Sequence, residues 1–127
     1  MHKLGPRNIS LLNLMRYQFP LPALVSILHR LSGLLLVLSI PGVLWLLQFS
    51  LHSAETFEML RMVFKCLWVK SVLWFVLSAL MYHVIAGIRH LIMDFGFFET
   101  KLGARCASLG VLALSLGVSI FLGVWLW

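Results

Sequence analysis

LSGLLLVLSIPGVLWLLQFSL, from Leu31 to Leu51, is a stretch without a single ionisable side chain. A helix needs about 20 mainly apolar residues to cross the hydrocarbon core of a bilayer, because no water is present there to satisfy backbone groups. The stretch therefore predicts a membrane span, which we place at residues 22–50. Pro41 lies inside this span and predicts a kink, because a proline has no N–H for the helical hydrogen bond.

The rest of the chain has the same apolar character. Its 127 residues are 61% hydrophobic and 11% charged, with a mean hydropathy of +1.01, which is more apolar surface than a soluble domain of this size can bury. Two further apolar segments predict spans at residues 66–93 and 106–127. We therefore predict an all-α integral membrane protein, a single domain over residues 1–127 with three transmembrane helices.

The segments between the spans differ in character. Residues 1–21 form a basic N-terminal arm, residues 51–65 an amphipathic connector, and residues 94–105 a loop. In the connector, Ser53 fits the N-cap of a short helix with Glu55 in its first turn, where a hydroxyl and an acidic group both favour the free N–H groups.

The distribution of basic residues predicts the orientation. Lys3, Arg7, Arg16, Arg30, Arg89, Lys101 and Arg105 would lie on one side of the membrane, and Arg61, Lys65 and Lys70 on the other. The richer side is expected to be cytoplasmic, which places the N-terminus inside and the C-terminus on the opposite side. The net charge of +6 is too diluted by apolar sequence to indicate a nucleic-acid partner.

HVIAGIRHLIMD, from His83 to Asp94, ends the second span with ionisable residues. An ionisable residue inside a span is costly, so His83 predicts a function. Gly87 lies one turn later, where the absence of a side chain would let a porphyrin approach beside the imidazole. We therefore consider haem ligation by His83, with Arg89 and His90 near the propionates. The alternatives are that Gly87 serves helix packing and that the charged residues anchor the helix end.

SILHRLSG, from Ser26 to Gly33, would lie at the same membrane face. Ser26 and Arg30 share one side of the helix, with His29 beside them. A hydroxyl donor and a fixed cation suit a quinone, whose carbonyl oxygens accept a hydrogen bond and gain negative charge on reduction. The alternatives are a bond from Ser26 to its own helix and an interaction of Arg30 with lipid phosphate.

These two motifs, Ser26-x-x-His29-Arg30-x-Ser32 and His83-x-x-x-Gly87-Ile88-Arg89-His90-x-x-x-Asp94, resemble the cytochrome b subunits of succinate dehydrogenase, and the resemblance extends over essentially the whole chain. It implies a membrane anchor of respiratory complex II in the bacterial cytoplasmic membrane. His83 matches the axial ligand of a b-type haem. Ser26 and Arg30 match positions that line the ubiquinone pocket, and His29 and Arg30 match positions near the haem propionates.

The resemblance also implies partners: a flavoprotein subunit that oxidises succinate, an iron-sulfur subunit, and a second membrane-anchor subunit that supplies the other haem histidine. The chain itself has no flavin motif and no cysteine set for a cluster, so we expect a subunit of an enzyme and not a complete one. In the arm, Asn8 and Ile9 stand where the family usually has an Arg-Pro pair.

Three other interpretations stay open at this point. A non-catalytic membrane scaffold would bind no haem. A self-contained haem protein would use His29 and His83 as two ligands of one iron. A fumarate reductase anchor would differ mainly in the direction of electron flow, which the sequence does not determine.

Overall fold

The computed structural model describes residues 20–98 and 100–127, so the N-terminal arm with Asn8 and Ile9 lies outside the described residues. Over the described part the chain forms four helices, α1 Leu21–His52, α2 Ala54–Val63, α3 Leu67–Asp94 and α4 Lys101–Leu126. Helices α1, α3 and α4 are long and apolar enough to cross a membrane. The predicted all-α fold with three spans is confirmed.

The helix bounds follow from local chemistry at each end. Helix α1 begins directly after Pro20 and continues through Pro41. Helix α4 begins at Lys101, before residue 106, where the third span was expected, because Thr100 caps it by accepting a bond of 3.0 Å from the Gly103 N–H. The connection from α3 is therefore shorter than the expected loop at residues 94–105, and it turns at Gly96, whose φ is 84°.

The connector helix α2 has the predicted cap. Ser53 Oγ accepts from the Thr56 N–H over 3.2 Å, and Thr56 Oγ1 accepts from the Ser53 N–H over 3.0 Å, so two free donors are satisfied reciprocally. Glu55 lies in the first turn, as predicted. Threonine takes the place of the Glu or Gln that usually completes such a box, and for this reason the sequence indicated only half of it.

Helix α3 packs against both other spans, with a small core at Val25, Ala86 and Val111. Serines line the α4 side of this contact: Ser108 and Ser115 are buried, and their hydroxyls donate to the Ala104 and Val111 carbonyls of their own helix. Small residues let membrane helices approach closely. Because α1 and α3 run in opposite directions, the start of α1 lies beside the end of α3.

Candidate functional site

The imidazole of His83 is hydrogen bonded to α1. Its Nδ1 lies 3.1 Å from the backbone oxygen of His29 and 3.1 Å from Oγ of Ser32. Ser32 Oγ also donates to the same His29 oxygen over 2.7 Å. The three groups form a closed triangle of contacts. This triangle joins the backbone and Ser32 of α1 to the His83 side chain of α3.

Only one placement of the hydrogens satisfies all three contacts. The His29 carbonyl can only accept, and the single hydroxyl hydrogen of Ser32 is directed to that carbonyl. Nδ1 of His83 must therefore carry the hydrogen and donate it to both oxygens. In a neutral imidazole, Nε2 then has the free lone pair and is the ring nitrogen able to ligate a metal.

The histidine rings of the two helices converge, as the topology predicted. The His29 ring stacks on the His83 ring, with centroids 4.2 Å apart and an interplanar angle of 17°. The His90 ring lies 5.1 Å from that of His29, tilted by 46°. Two axial ligands of one iron instead point their nitrogens at each other across the metal. The stacked pair does not have the arrangement that a self-contained haem protein using His29 and His83 would need.

Two glycines make room for these rings. A Cβ added at Gly33 would lie 2.9 Å from Cε1 of His83, and one added at Gly87 would lie 3.4 Å from Nε2 of His29. Gly33 therefore has to be a glycine for His83 to approach α1 as it does. Gly87 faces the His29 ring, and its expected role of clearing a haem stays a prediction.

Ser26 lies on α1 one turn before His29, and Arg30 directly follows His29. Ser26 is half-buried and Arg30 is exposed. Ser32, Ser39 and Ser50 of the same helix each donate to the carbonyl three residues earlier, whereas Ser26 Oγ has no hydrogen bond to any residue in the described part of the chain. The Ser26 hydroxyl is therefore not engaged by its own helix, in contrast to the alternative considered from sequence.

Arg89 does not have the surface position that a helix-end anchor would have. Its side chain is buried, with 5% exposure, and lies on the same side of α3 as Tyr82 and Ala86. Its Nε and Nη1 atoms have no hydrogen-bond partner among residues 20–98 and 100–127. The anchor interpretation is wrong for Arg89, while Asp94 is exposed as such an anchor would be.

Sequence reasoning missed three contributors to this site. Ser32 was part of the motif without a role, Gly33 was not singled out, and Tyr82 donates from its hydroxyl to the Val25 carbonyl over 2.9 Å. One signal was present: Ser32 and Gly33 are small residues one turn after His29, on the side of α1 that must face α3. The Tyr82 bond has no such pattern, because it depends on the register between two helices.

The donor set fits a haem better than a bare metal ion. Within the described ranges there is no group of three His, Cys, Asp or Glu side chains that could hold a metal ion. A metal at His83 would need its other ligands from elsewhere, as a porphyrin and a second subunit would supply them. The tautomer of His83 and the His90 ring, which lies 5.1 Å from that of His29, are compatible with such a group.

Three curated proteins show what the chain is similar to. It is 39% identical over 117 residues to the succinate dehydrogenase cytochrome b556 subunit of Coxiella burnetii, covering 91% of this chain and 94% of that protein. The corresponding subunit of Paracoccus denitrificans is 36% identical over 64% of this chain and 62% of its own length. The mitochondrial succinate dehydrogenase cytochrome b560 subunit of Dictyostelium discoideum is 38% identical over 61% of this chain and 41% of its own length.

A family model matches most of the chain. The model describes the transmembrane subunit of succinate dehydrogenase and fumarate reductase, and it matches residues 6–122. The match includes all of α1, α2 and α3 and most of α4. The chain therefore belongs to the succinate dehydrogenase/fumarate reductase transmembrane subunit family.

Proposed function

We propose that the chain is the cytochrome b subunit of a succinate dehydrogenase, which anchors the flavoprotein and iron-sulfur subunits and helps to pass their electrons to ubiquinone. His83 supplies one axial nitrogen to a b-type haem, and a second membrane-anchor subunit supplies the other. Ser26 and Arg30 form part of the ubiquinone site. His29 and Arg30 lie near the haem propionates.

The observation that carries the haem assignment is the triangle of contacts at His83 Nδ1. Both partners of this atom are acceptors, so the ring is held in the tautomer whose Nε2 can ligate iron. Donation of the other ring N–H to a backbone carbonyl is the arrangement that metal-ligating histidines almost always have. The names of the relatives add support, since a cytochrome b556 subunit is by its name a b-type haem protein.

The ubiquinone site is supported by the charge of Arg30 and by the Ser26 hydroxyl, which has no hydrogen bond to residues 20–98 or 100–127. Ser26 can donate its hydrogen to a quinone carbonyl without breaking a bond within α1. Arg30 stabilises the negative charge that reduction places on that oxygen, and it keeps its own proton throughout. Haem, when bound, exchanges one electron at a time, which matches the single-electron steps of an iron-sulfur donor.

The orientation belongs to the same proposal. The arm and the end of α3 carry most of the basic residues, so we place the N-terminus and the haem site on the cytoplasmic side of the bacterial inner membrane. The soluble subunits would then meet the membrane at the end that carries Ser26, Arg30 and His83. Attachment of a membrane-impermeant thiol reagent to Cys66, in the connection between α2 and α3, from the periplasmic side would support this orientation.

The decisive experiment is a reduced-minus-oxidised visible spectrum of the complex purified through this chain. The wild type should give a low-spin b-type signal, which His83→Ala should lose or convert to high spin. His52→Ala is the matched control, because His52 ends α1 on the opposite side of the bundle and should leave the signal intact. An unchanged signal in His83→Ala would contradict the assignment of the ligand. A complex without any haem would favour a non-catalytic scaffold.

The quinone site needs a separate measurement. Arg30→Ala should slow ubiquinone reduction at least tenfold, while succinate oxidation with a soluble dye acceptor stays near the wild-type rate. Arg105→Ala, an exposed arginine of α4, is the control and should affect neither. Equal loss of both activities in Arg30→Ala would mean a defect of assembly. A fumarate reductase would instead show faster turnover from quinol to fumarate than from succinate to quinone.

A further inference from the structure

We propose that Ser32 is a positioning residue for the haem ligand: its hydroxyl, together with the His29 carbonyl, fixes the plane and the tautomer of the His83 imidazole and so sets the reduction potential of the haem. This inference rests on the haem ligation proposed above. It adds a residue of this chain that acts through His83 and does not itself touch the iron.

The His83 ring is held from three directions, and the specific one is Nδ1, where Ser32 Oγ and the His29 carbonyl both lie 3.1 Å away. The ring edge at Cε1 meets α1 at Gly33, where an added Cβ would lie 2.9 Å away. One ring face is covered by His29 at a centroid distance of 4.2 Å. These contacts are apolar or steric and would allow either tautomer, whereas the bonds at Nδ1 allow one.

Ser32 is itself well placed to act as a fixed acceptor. The residue is buried, with 8% exposure, so water does not compete for its hydroxyl. The donation of its hydrogen to the His29 oxygen orients the remaining lone pairs of Oγ toward His83. In a buried setting such a linked pair of hydrogen bonds is stronger than the same pair in water.

The electronic consequence follows from hydrogen bonding to the non-ligating nitrogen. Donation from Nδ1–H gives the imidazole more negative character and makes Nε2 a stronger electron donor to the iron. A stronger donor favours the oxidised iron and lowers the reduction potential. Loss of the Ser32 acceptor should therefore raise the potential, and it should let the ring turn, since the His29 carbonyl alone is left to hold Nδ1.

The test compares variants of the complete complex. Ser32→Ala removes the acceptor, Ser32→Thr restores it, and Ser32→Cys puts a much weaker acceptor in its place. Ser39→Ala is the matched control, because Ser39 lies in the same helix and makes the same 2.7 Å bond to the carbonyl three residues earlier without meeting a histidine. The readouts are the midpoint potential of the haem and the g-values of its low-spin ferric electron paramagnetic resonance signal.

We expect Ser32→Ala to raise the potential and shift the g-values at unchanged haem content, with Ser32→Thr and Ser39→Ala close to wild type. If Ser32→Ala does not assemble, Ser32→Cys should show the same shifts in smaller measure. The inference would be overturned if Ser32→Ala and Ser32→Cys both kept the wild-type midpoint potential and g-values. It would also be overturned if Ser32→Thr or Ser39→Ala shifted these values as much as Ser32→Ala does. His83→Ala separates the two proposals: a haem signal that survives this change overturns the ligand assignment itself, while loss of the signal together with unshifted Ser32 variants overturns only the role of Ser32.

Discussion

Both ends of the helix bundle have polar side chains in apolar surroundings, but the two ends differ in how fully these side chains are hydrogen bonded. At the tryptophan end, which we define by Lys70 and Trp74, Nζ of Lys70 donates to the Leu126 carbonyl over 3.0 Å and Nε1 of Trp74 donates to the Ser119 carbonyl over 2.8 Å. Each side chain there reaches a backbone oxygen of α4. These bonds join α3 to α4.

We define the histidine end by His29, His83 and His90. Here one side chain is hydrogen bonded to another helix, as at the tryptophan end, while other polar groups have no partner. Nδ1 of His83 is satisfied by α1, but within the described residues the Ser26 hydroxyl and two nitrogens of Arg89 have no partner. Unused polar groups in a bilayer cost free energy unless a ligand or a subunit engages them. This difference is consistent with the proposal that haem and quinone bind at the histidine end.

The strongest way to break the histidine end from within is Gly33→Ala. The added methyl group would lie 2.9 Å from Cε1 of His83, so the ring must move and its bonds at Nδ1 must lengthen. We expect a loss of about 1 to 3 kcal/mol in stability and a displaced haem spectrum. Both are measurable by thermal unfolding of the detergent-solubilised complex followed at the haem band.

Gly42→Ala provides the control, because an added Cβ at Gly42 meets nothing within 4 Å. It should keep the wild-type spectrum and leave stability unchanged or raise it by up to about 1 kcal/mol, since alanine favours helix more than glycine does. Identical behaviour of the two variants would show that the Gly33 contact is not part of the site.

Lys70→Met tests the tryptophan end. Leu126 is the last residue of α4, and the carbonyls of a last turn have no donor in their own helix, so Lys70 satisfies an otherwise free acceptor. We expect about 1.5 to 3 kcal/mol of destabilisation, typical of a hydrogen bond to a charged group, with an unchanged haem spectrum. Lys65→Met, at an exposed lysine of the connection, should be within about 0.5 kcal/mol of wild type. A spectral change in Lys70→Met would contradict the separation of the two ends.

The fold could be predicted because the length and hydropathy of each span are enough to identify it as a transmembrane helix. No partner segment is needed to recognise α1 from its apolar stretch Leu31 to Leu51, and the residue type of Ser53 alone indicated the N-cap of α2. The start of α4 was missed because Lys101 and Arg105 interrupt the apolar run, while the Thr100 cap continues the helix past the apolar region. Hydropathy predicts which residues lie in the membrane, whereas the capping residue determines where the helix begins.

The candidate site could be predicted only in its residue types. His29 and His83 stand out as ionisable residues in spans, and opposite helix directions bring them to one end. Their stacking, and the choice of Ser32 over Ser26 as the partner of Nδ1, depend on a rotation of α1 that no periodicity fixes. The burial of Arg89 was likewise hidden, because an arginine near a helix end has the same sequence context whether it faces lipid or protein.

The smallest expected loss of stability comes from a variant that distinguishes the hydrogen bond of Trp74 from the packing of its ring. Trp74→Phe keeps an aromatic ring but removes the donor to Ser119, and that carbonyl keeps its place in the hydrogen-bond ladder of α4, which continues to Leu126. We therefore expect a loss of only about 1 kcal/mol. Trp125→Phe, whose side chain is 70% exposed, should lose less in detergent. Equal losses in both variants would mean that ring size and not the Nε1 donor joins α3 to α4, and a shift of the haem potential in Trp74→Phe would mean that the two ends of the bundle are coupled after all.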